Sequence, residues 1–237
     1  MLQVMPLPIL YQDENLVAIH KPSGMLVHRS PISRDTVFVL QTLRDQIGQR
    51  VYPVHRLDRA TSGVLLFGLS SPMAQALVQQ FEARSVGKEY RALARGWVDA
   101  EGQIDHPVAD EEGNNIAQDA QTAYRCLAQV EVPFAVDRYP TSRYSLVSVE
   151  PLTGRRQQIR KHFKHISHHL IGDTTHGNGK HNRFFREHFG IHRLMLSSHR
   201  LAFDHPLSGE RIELQALPEP EWQRIGQAFG WEEFTGP

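Results

Sequence analysis

Apolar residues recur at helical spacing in four stretches of the chain. The clearest is SPMAQALVQQFEAR (71–84), in which Ala74, Leu77, Val78 and Phe81 follow the i, i+3, i+4, i+7 pattern of a helix with one buried face. Ser71 is expected to cap this helix, with Pro72 at its first position. The same spacing predicts helices over 35–47, 155–166 and 219–229; the stripe of the first consists of Val37, Leu40, Leu43 and Ile47.

Short apolar runs bounded by Gly, Pro and polar residues predict strands. These runs are 14–20, 63–69, 87–98, 122–130, 142–151, 193–203 and 211–215. KPSG (21–24) is typical of a turn, and the acidic segment 105–121 predicts a loop or hairpin. The elements follow no regular βαβ order. We therefore predict an α+β fold with a largely antiparallel mixed sheet flanked by helices, in a single domain over 1–237.

Composition narrows the class of protein. The chain has 237 residues, 40% of them hydrophobic and 22% charged, as in ordinary soluble domains. The N-terminal sequence lacks a basic region typical of a signal peptide, and no apolar run approaches the ~20 residues of a membrane span. A single cysteine, Cys126, excludes an internal disulfide and a thiolate metal cluster. A cytoplasmic protein without a membrane partner is expected.

The charge is unevenly distributed along the chain. The 26 basic and 26 acidic residues cancel overall, yet residues 154–200 hold ten Lys and Arg against two acids, which gives +8. Nine of the fourteen histidines lie there too. This distribution suits a protein that offers one basic face to a polyanion, although a solvated helix face with a cationic loop would have the same composition.

The segment HRLDRATSG (55–63) places one carboxylate, Asp58, among cations just before an apolar strand. If residues 54–58 are extended, Arg56 and Asp58 point to the same side. The neighbouring guanidinium groups favour an ionised carboxylate, which suits a nucleophile or a base. A structural ion pair with a turn at Thr61, Ser62 and Gly63 is the other interpretation.

The segment PLTGRRQQIRKHFKH (151–165) predicts a basic helix that could bind phosphates. Its apolar seam is Ile159, Phe163 and Ile166, and Arg160 adjoins this seam and could turn inward toward a carboxylate. The cations that lie mostly off the seam are Arg155, Arg156, Lys161 and Lys164.

A group of four histidines and one tyrosine each allow two interpretations. His162, His165, His168 and His169 have helical spacing that could serve zinc, but no HExxH pattern is present, so contact with solvent or phosphate is favoured. Tyr90, in a predicted strand, is either a core residue with a paired hydroxyl or a stacking platform for an unpaired base.

Taken in order, these segments resemble the RluA-type pseudouridine synthases over nearly the whole chain. The resemblance is carried by HRLDRATSGVLLF, GKEYRAL, PLTGRRQQIRKHF, LIGDTTHG and RLMLSSHRLAFDHPLSG. RDQIGQ, RYPTSRY and EHFGIHRLML are similar to a branch that acts on tRNA, which implies uridine 65 of tRNA as the target. No S4-like N-terminal extension is expected.

The resemblance also implies roles for individual residues. Asp58 would be the essential carboxylate and would pair with Arg160, while Arg56 would support the cavity left by a flipped uridine. Tyr90 would stack on that base, with Ile159 packed nearby. RNA contacts are expected from His55, Thr61, Arg155, Lys161 and Lys164. The reaction is an isomerisation, so no cofactor or metal is expected, and the protein is expected to be a monomer.

The sequence departs from the family pattern at three positions. Gln157 and Ser197 stand where relatives usually have His, and His176 stands where they often have Tyr. Two other functions remain open at this point: a pseudouridine synthase acting on ribosomal RNA, and a non-catalytic RNA-binding protein.

Overall fold

The structure is a computed structural model that describes residues 5–29, 35–109 and 116–235. The chain divides into two units, residues 1–88 with 197–216, and residues 89–196 with 217–237. The strands are β1 (Ile9–Gln12), β2 (Leu16–Lys21), β3 (Tyr52–Pro53), β4 (Ser62–Gly68), β5 (Gly87–Arg95), β6 (Glu101–Asp105), β7 (Val108–Ala109), β8 (Ala117–Gln118), β9 (Gln121–Val132), β10 (Ser142–Pro151), β11 (Leu196–Asp204) and β12 (Arg211–Gln215). The helices are α1 (Val39–Ile47), α2 (Ser71–Glu82), α3 (Gln158–His165), α4 (Gly179–Phe189), α5 (Pro220–Phe229) and α6 (Glu232–Thr235).

The first unit is built on the buried strand β4. The antiparallel neighbour β2 lies along one edge of it, and β1 pairs with β2. The other edge takes β3 near the end of β4 and β11, in parallel, near its start; β12 then pairs with β11. Helix α2 buries Met73, Ala74 and Leu77 in the apolar core of this unit.

The second unit contains an antiparallel array in the order β5-β10-β9-β6, and β7 and β8 form a separate two-stranded pair. Its core combines aliphatic and aromatic residues. Tyr144, Phe184 and Phe185 pack there with Trp222 and Trp231. The predicted α+β class with a largely antiparallel sheet is confirmed.

Several predicted boundaries were wrong. Helix α1 begins at Val39, because residues around Phe38 form a bridge to Leu26, and Val37 is exposed rather than part of the buried stripe. The N-cap of α2 is Ser70, not Ser71, since the Ser70 hydroxyl accepts from the Met73 amide.

Helix α4 lies between the predicted helix 155–166 and the predicted strand 193–203, where the sequence pattern predicted no element, and its N-cap is Asn178. The predicted excursion at 105–121 contains β7 and β8, and its residues 110–115 lie outside the described part of the chain. No helix in the described ranges has the length and apolar character that a membrane crossing requires.

Candidate active site

Asp58 lies on the loop that connects β3 to β4. The loop bends at residues 54–55, and residues 56–58 form no strand. Arg56 is exposed and Asp58 is half-buried, and the expectation that the two side chains point to the same side stays a prediction. The carbonyl oxygen of Asp58 accepts from the amide of Thr61 (3.1 Å), which closes a turn directly before β4.

A buried lysine holds this loop in place. Lys21, at the end of β2, is fully buried, and its Nζ donates to the carbonyl oxygens of Pro22 (2.8 Å), Arg59 (3.2 Å) and Thr61 (2.8 Å). Around it, the Gly24 amide donates to the carbonyl of Arg59. The KPSG turn therefore clamps the loop that carries Asp58. Sequence reasoning identified this segment only as a turn and missed Lys21.

The start of β4 is equally constrained. Gly63 has a φ of 105° and packs so closely against the backbone of Ser198 that a Cβ would overlap it. Ser197, one of the departures from the family pattern, is buried opposite Ser62 in the parallel pairing. Only a glycine fits at position 63, because both the φ angle and the close approach of the strands exclude a side chain.

The predicted substrate-binding residues His55 and Thr61 are held by contacts inside the first unit. His55 Nε2 accepts from the Leu66 amide (3.0 Å), and the ring stacks on Phe81 at 4.7 Å between centroids. Burial lowers the pKa of His55 to about 3, and Lys88 adds to the effect, so the ring is neutral. Thr61 is buried. Both residues support the loop, and their contact with RNA stays a prediction.

Tyr90, Ile159 and Arg160 belong to the second unit. Tyr90 lies in β5 opposite Val149 of β10 and is half-buried. In α3, Ile159 and Arg160 are each 6% exposed. The predicted inward direction of Arg160 is confirmed.

Asp173 is a buried partner of Arg160 that sequence reasoning missed. The two side chains form a bidentate ion pair, with Nε at 2.7 Å from Oδ2 and Nη2 at 2.8 Å from Oδ1. Asp173 Oδ1 also accepts from the amides of Thr175 and His176, both at 2.9 Å. Burial alone would raise the pKa of Asp173, but these hydrogen bonds and the Arg160 charge outweigh it and lower the pKa. The pairing of Arg160 with Asp58 stays a prediction.

The N-cap of helix α3 is Gln157, which has the left-handed conformation (φ 55°). Gln157 Oε1 accepts from Nε2 of His176 at 2.7 Å. Two of the three departures from the family pattern thus contact each other. This contact also joins the start of α3 to the segment that holds Asp173.

The predicted RNA-binding cations at the start and on the surface of α3 differ in the contacts that they make within the protein. Arg155 is exposed and its Nε donates to the carbonyl of Asp119 (3.2 Å), whereas Lys161 Nζ donates to the carbonyl of Ala109 (2.5 Å). Lys164 is exposed. Lys161 is therefore engaged with the β7–β8 segment, and Lys164 is the better placed of the two lysines for an external phosphate.

The four histidines considered for zinc make other contacts. His162 is buried between the Thr122 hydroxyl and the carbonyl of His106, both at 2.9 Å, and His165 stacks on His106. His168 and His169 contact backbone carbonyls through Nδ1. Across residues 5–29, 35–109 and 116–235, no cluster of three or more His, Cys, Asp or Glu side chains has a metal-binding arrangement.

Comparisons with known proteins point to one family. The family described as RNA pseudouridylate synthase matches residues 15–165, a range that includes Asp58, Tyr90, Ile159 and Arg160. tRNA pseudouridine synthase C of Vibrio cholerae is 48% identical over 96% of this chain and 97% of its own length. The protein of the same name in Pasteurella multocida is 49% identical over 96% and 98%. The protein of the same name in Pectobacterium carotovorum is 50% identical over 100% of this chain and 66% of its own length.

Solved structures agree on the fold. Human RNA Pseudouridylate Synthase Domain Containing 4 has a TM-score of 0.72 at 22% identity, covering 93% of this chain and 92% of that one. Human RNA Pseudouridylate Synthase Domain Containing 1 has a TM-score of 0.70 at 23% identity, covering 90% and 84%.

Proposed function

Because the chain belongs to the RNA pseudouridylate synthase family, we propose that it converts a uridine of tRNA, at position 65, to pseudouridine. The observation that carries this proposal is the near-full-length similarity to proteins named tRNA pseudouridine synthase C. The proposal also includes that the protein acts as a monomer, in the cytoplasm and without a metal ion.

Asp58 is the essential carboxylate in this reaction. The N1–C1′ bond of the uridine breaks and a C5–C1′ bond forms; C5 releases its proton to solvent and N1 takes one up. The atoms and electrons balance without an oxidant or a reductant. Two features of the first unit support this role: Asp58 is half-buried rather than enclosed, and its loop is rigidly held by Lys21.

Tyr90 is the ring that stacks on the flipped uracil, and Ile159 packs beside it. Taking a base out of its helix costs a few kcal/mol, and stacking on an aromatic ring recovers about 1–3 kcal/mol. The half-buried position of Tyr90 supports this role, since a ring fully enclosed in the core could not reach a nucleotide. Arg56 fills the space that the uridine leaves in the RNA.

Tritium release from tRNA labelled at uridine C5 tests the proposal. Wild type should release one tritium per tRNA, and a transcript with cytidine at position 65 should release none. Asp58→Asn should bind tRNA within about threefold of wild type and release no tritium. The matched control is Asp204→Asn, which removes an exposed aspartate paired with Arg211 and should keep full activity.

Other outcomes would contradict specific parts of the proposal. Release from ribosomal RNA but not from tRNA would overturn the substrate. Binding without release from any RNA would favour the non-catalytic RNA-binding protein. Full activity of Asp58→Asn would overturn the role of this carboxylate.

A further inference from the structure

The second unit contains a cavity of about 670 Å³ that none of the proposed catalytic residues line. It lies among the end of β5, the connection between β9 and β10, the segment after α3 and the first turn of α4. We call it the arginine cavity, after the three arginines in its wall. The residues that matter for its chemistry are Arg95, Asp137, Arg138, Tyr139, Arg143 and His181.

Two of the three guanidinium groups form no close ion pair. Arg143 is paired with Glu131 (3.0 Å) and lies over the Trp97 ring, and Asp137 is paired with Lys180 (2.6 Å). For Arg95 and Arg138, the described part of the chain provides no ion-pair partner. Asp137 acts on Arg95 through its charge, but the lining still holds three arginines against this one aspartate, and such an excess of positive charge favours an anionic ligand.

His181 adds a buried polar atom without a partner. It is 3% exposed and lines the arginine cavity, and its Nδ1 lies 2.8 Å from the Tyr144 hydroxyl. Its Nε2 is buried and has no hydrogen-bond partner among the described residues. An orphaned buried nitrogen of this kind calls for a ligand or a water molecule.

The tautomer of His181 depends on the direction of its hydrogen bond with Tyr144. Tyr144 is fully buried, and burial raises its pKa, so its hydroxyl keeps its proton. This hydroxyl can donate to Nδ1 of His181 or to the hydroxyl of Ser142, which itself donates to the carbonyl of Phe134. Burial lowers the pKa of His181 to about 4, so the ring is neutral at pH 7. When Tyr144 donates to Nδ1, the neutral ring carries its hydrogen on Nε2, and Nε2 is then a donor.

We propose that the arginine cavity binds a backbone phosphate of the RNA substrate, with Arg95 and Arg138 as its charged partners and the Nε2–H of His181 as a buried donor. The inference rests on the proposed function, because it needs RNA as the substrate. Guanidinium groups and an N–H donor match the oxygens of a phosphodiester. The site holds the tRNA and takes no part in the isomerisation.

A segment of RNA fits the arginine cavity better than a small free anion does. The volume is much larger than one phosphate group requires, and the Tyr139 side chain at its rim is 56% exposed. Arg138 lies over the Tyr139 ring at 4.8 Å, so the charged and aromatic groups are adjacent. This combination suits a phosphate with its attached nucleoside.

The double variant Arg95→Gln/Arg138→Gln tests the inference. Its Kd for tRNA at 0.1 M salt should rise about tenfold, as the loss of a charge-assisted phosphate contact implies. The slope of log K against log salt should fall by about 0.7–0.9, the value for one phosphate contact. KM should rise with Kd, and kcat at saturating tRNA should stay unchanged. Arg224→Gln is the matched control, because Arg224 is an exposed arginine of the same unit that pairs with Glu221; it should change none of these quantities.

A second measurement does not depend on the variants. Nitrogen NMR of ¹⁵N-histidine-labelled protein should show His181 protonated at Nε2, with a shift of that resonance when tRNA is added. A hydrogen on Nδ1, or an active double variant with wild-type affinity and salt slope, would overturn the inference. Wild type that binds tRNA through the cavity but releases no tritium would overturn the proposed function and support the phosphate site.

Discussion

The ion pair between Arg160 and Asp173 provides a quantitative test of the structure. Their side chains are 6% and 1% exposed, so neither charge can turn to water if the other is removed. In Asp173→Asn, Oδ1 is retained for the amides of Thr175 and His176, but the negative charge and the acceptor for Arg160 Nε are lost. Removing one partner of a buried pair costs about 3–5 kcal/mol. Because Asn keeps part of the hydrogen bonding, we expect about 3 kcal/mol.

Urea unfolding at pH 7 measures this cost. All three tryptophans, Trp97, Trp222 and Trp231, lie in the second unit with Asp173, so their fluorescence reports the unfolding of that unit. The control is Arg224→Gln, which breaks an ion pair whose side chains are 46% and 26% exposed. Such an exposed pair contributes at most about 1 kcal/mol.

The pH dependence of the difference gives an independent check. The pKa of Asp173 is lowered in the folded state, so its contribution to stability is present above the unfolded value of about 3.9. That contribution is lost as the pH falls through the lower folded pKa. The difference between wild type and Asp173→Asn should therefore be constant from pH 5 to 8 and shrink below about pH 4. A loss at pH 7 no larger than that of Arg224→Gln, or a difference independent of pH, would refute the reasoning.

Three further substitutions test other contacts. Lys21→Met should destabilise the protein by about 3 kcal/mol, because three carbonyl oxygens lose a charged donor; a loss under 1 kcal/mol in urea unfolding would contradict the clamp. Tyr90→Ala should lower kcat more than it weakens tRNA binding, since stacking acts on the flipped base, and equal losses would argue against stacking. Lys164→Ala should reduce the salt slope of tRNA binding by about 0.7–0.9, while Lys161→Ala should reduce it less, because Lys161 is engaged with Ala109. A larger reduction of the salt slope in Lys161→Ala than in Lys164→Ala would contradict this assignment.

The strongly periodic elements could be predicted from sequence because local pattern and burial agree there. In α2, the apolar positions at helical spacing are the ones that pack into the core of the first unit, and the error is confined to the cap. Helix α4 was missed for the opposite reason. Its sequence GKHNRFFREHF has four charged residues and two histidines among eleven, and the apolar signal is concentrated in adjacent phenylalanines that pack with aromatic residues distant in sequence.

The site was predicted less completely than the fold. The inward direction of Arg160 could be read from its place beside the seam of α3, but its partner Asp173 follows an irregular segment that has no periodicity. Lys21 was missed because a buried lysine satisfied by three backbone carbonyls leaves no charge pattern in the sequence. Both contacts depend on tertiary structure, which a local pattern does not contain.

The hydrogen bond between Gln157 and His176 has a consequence for protein engineering. Chimaeras that combine this chain with a relative carrying His and Tyr at these positions should take both residues from the same parent. An exchange of one position alone would set a mismatched pair at the entrance to α3, next to the segment that holds Arg160 in place. Recombination breakpoints between residues 157 and 176 are therefore expected to yield poorly active proteins, even where each parental fragment is compatible by itself.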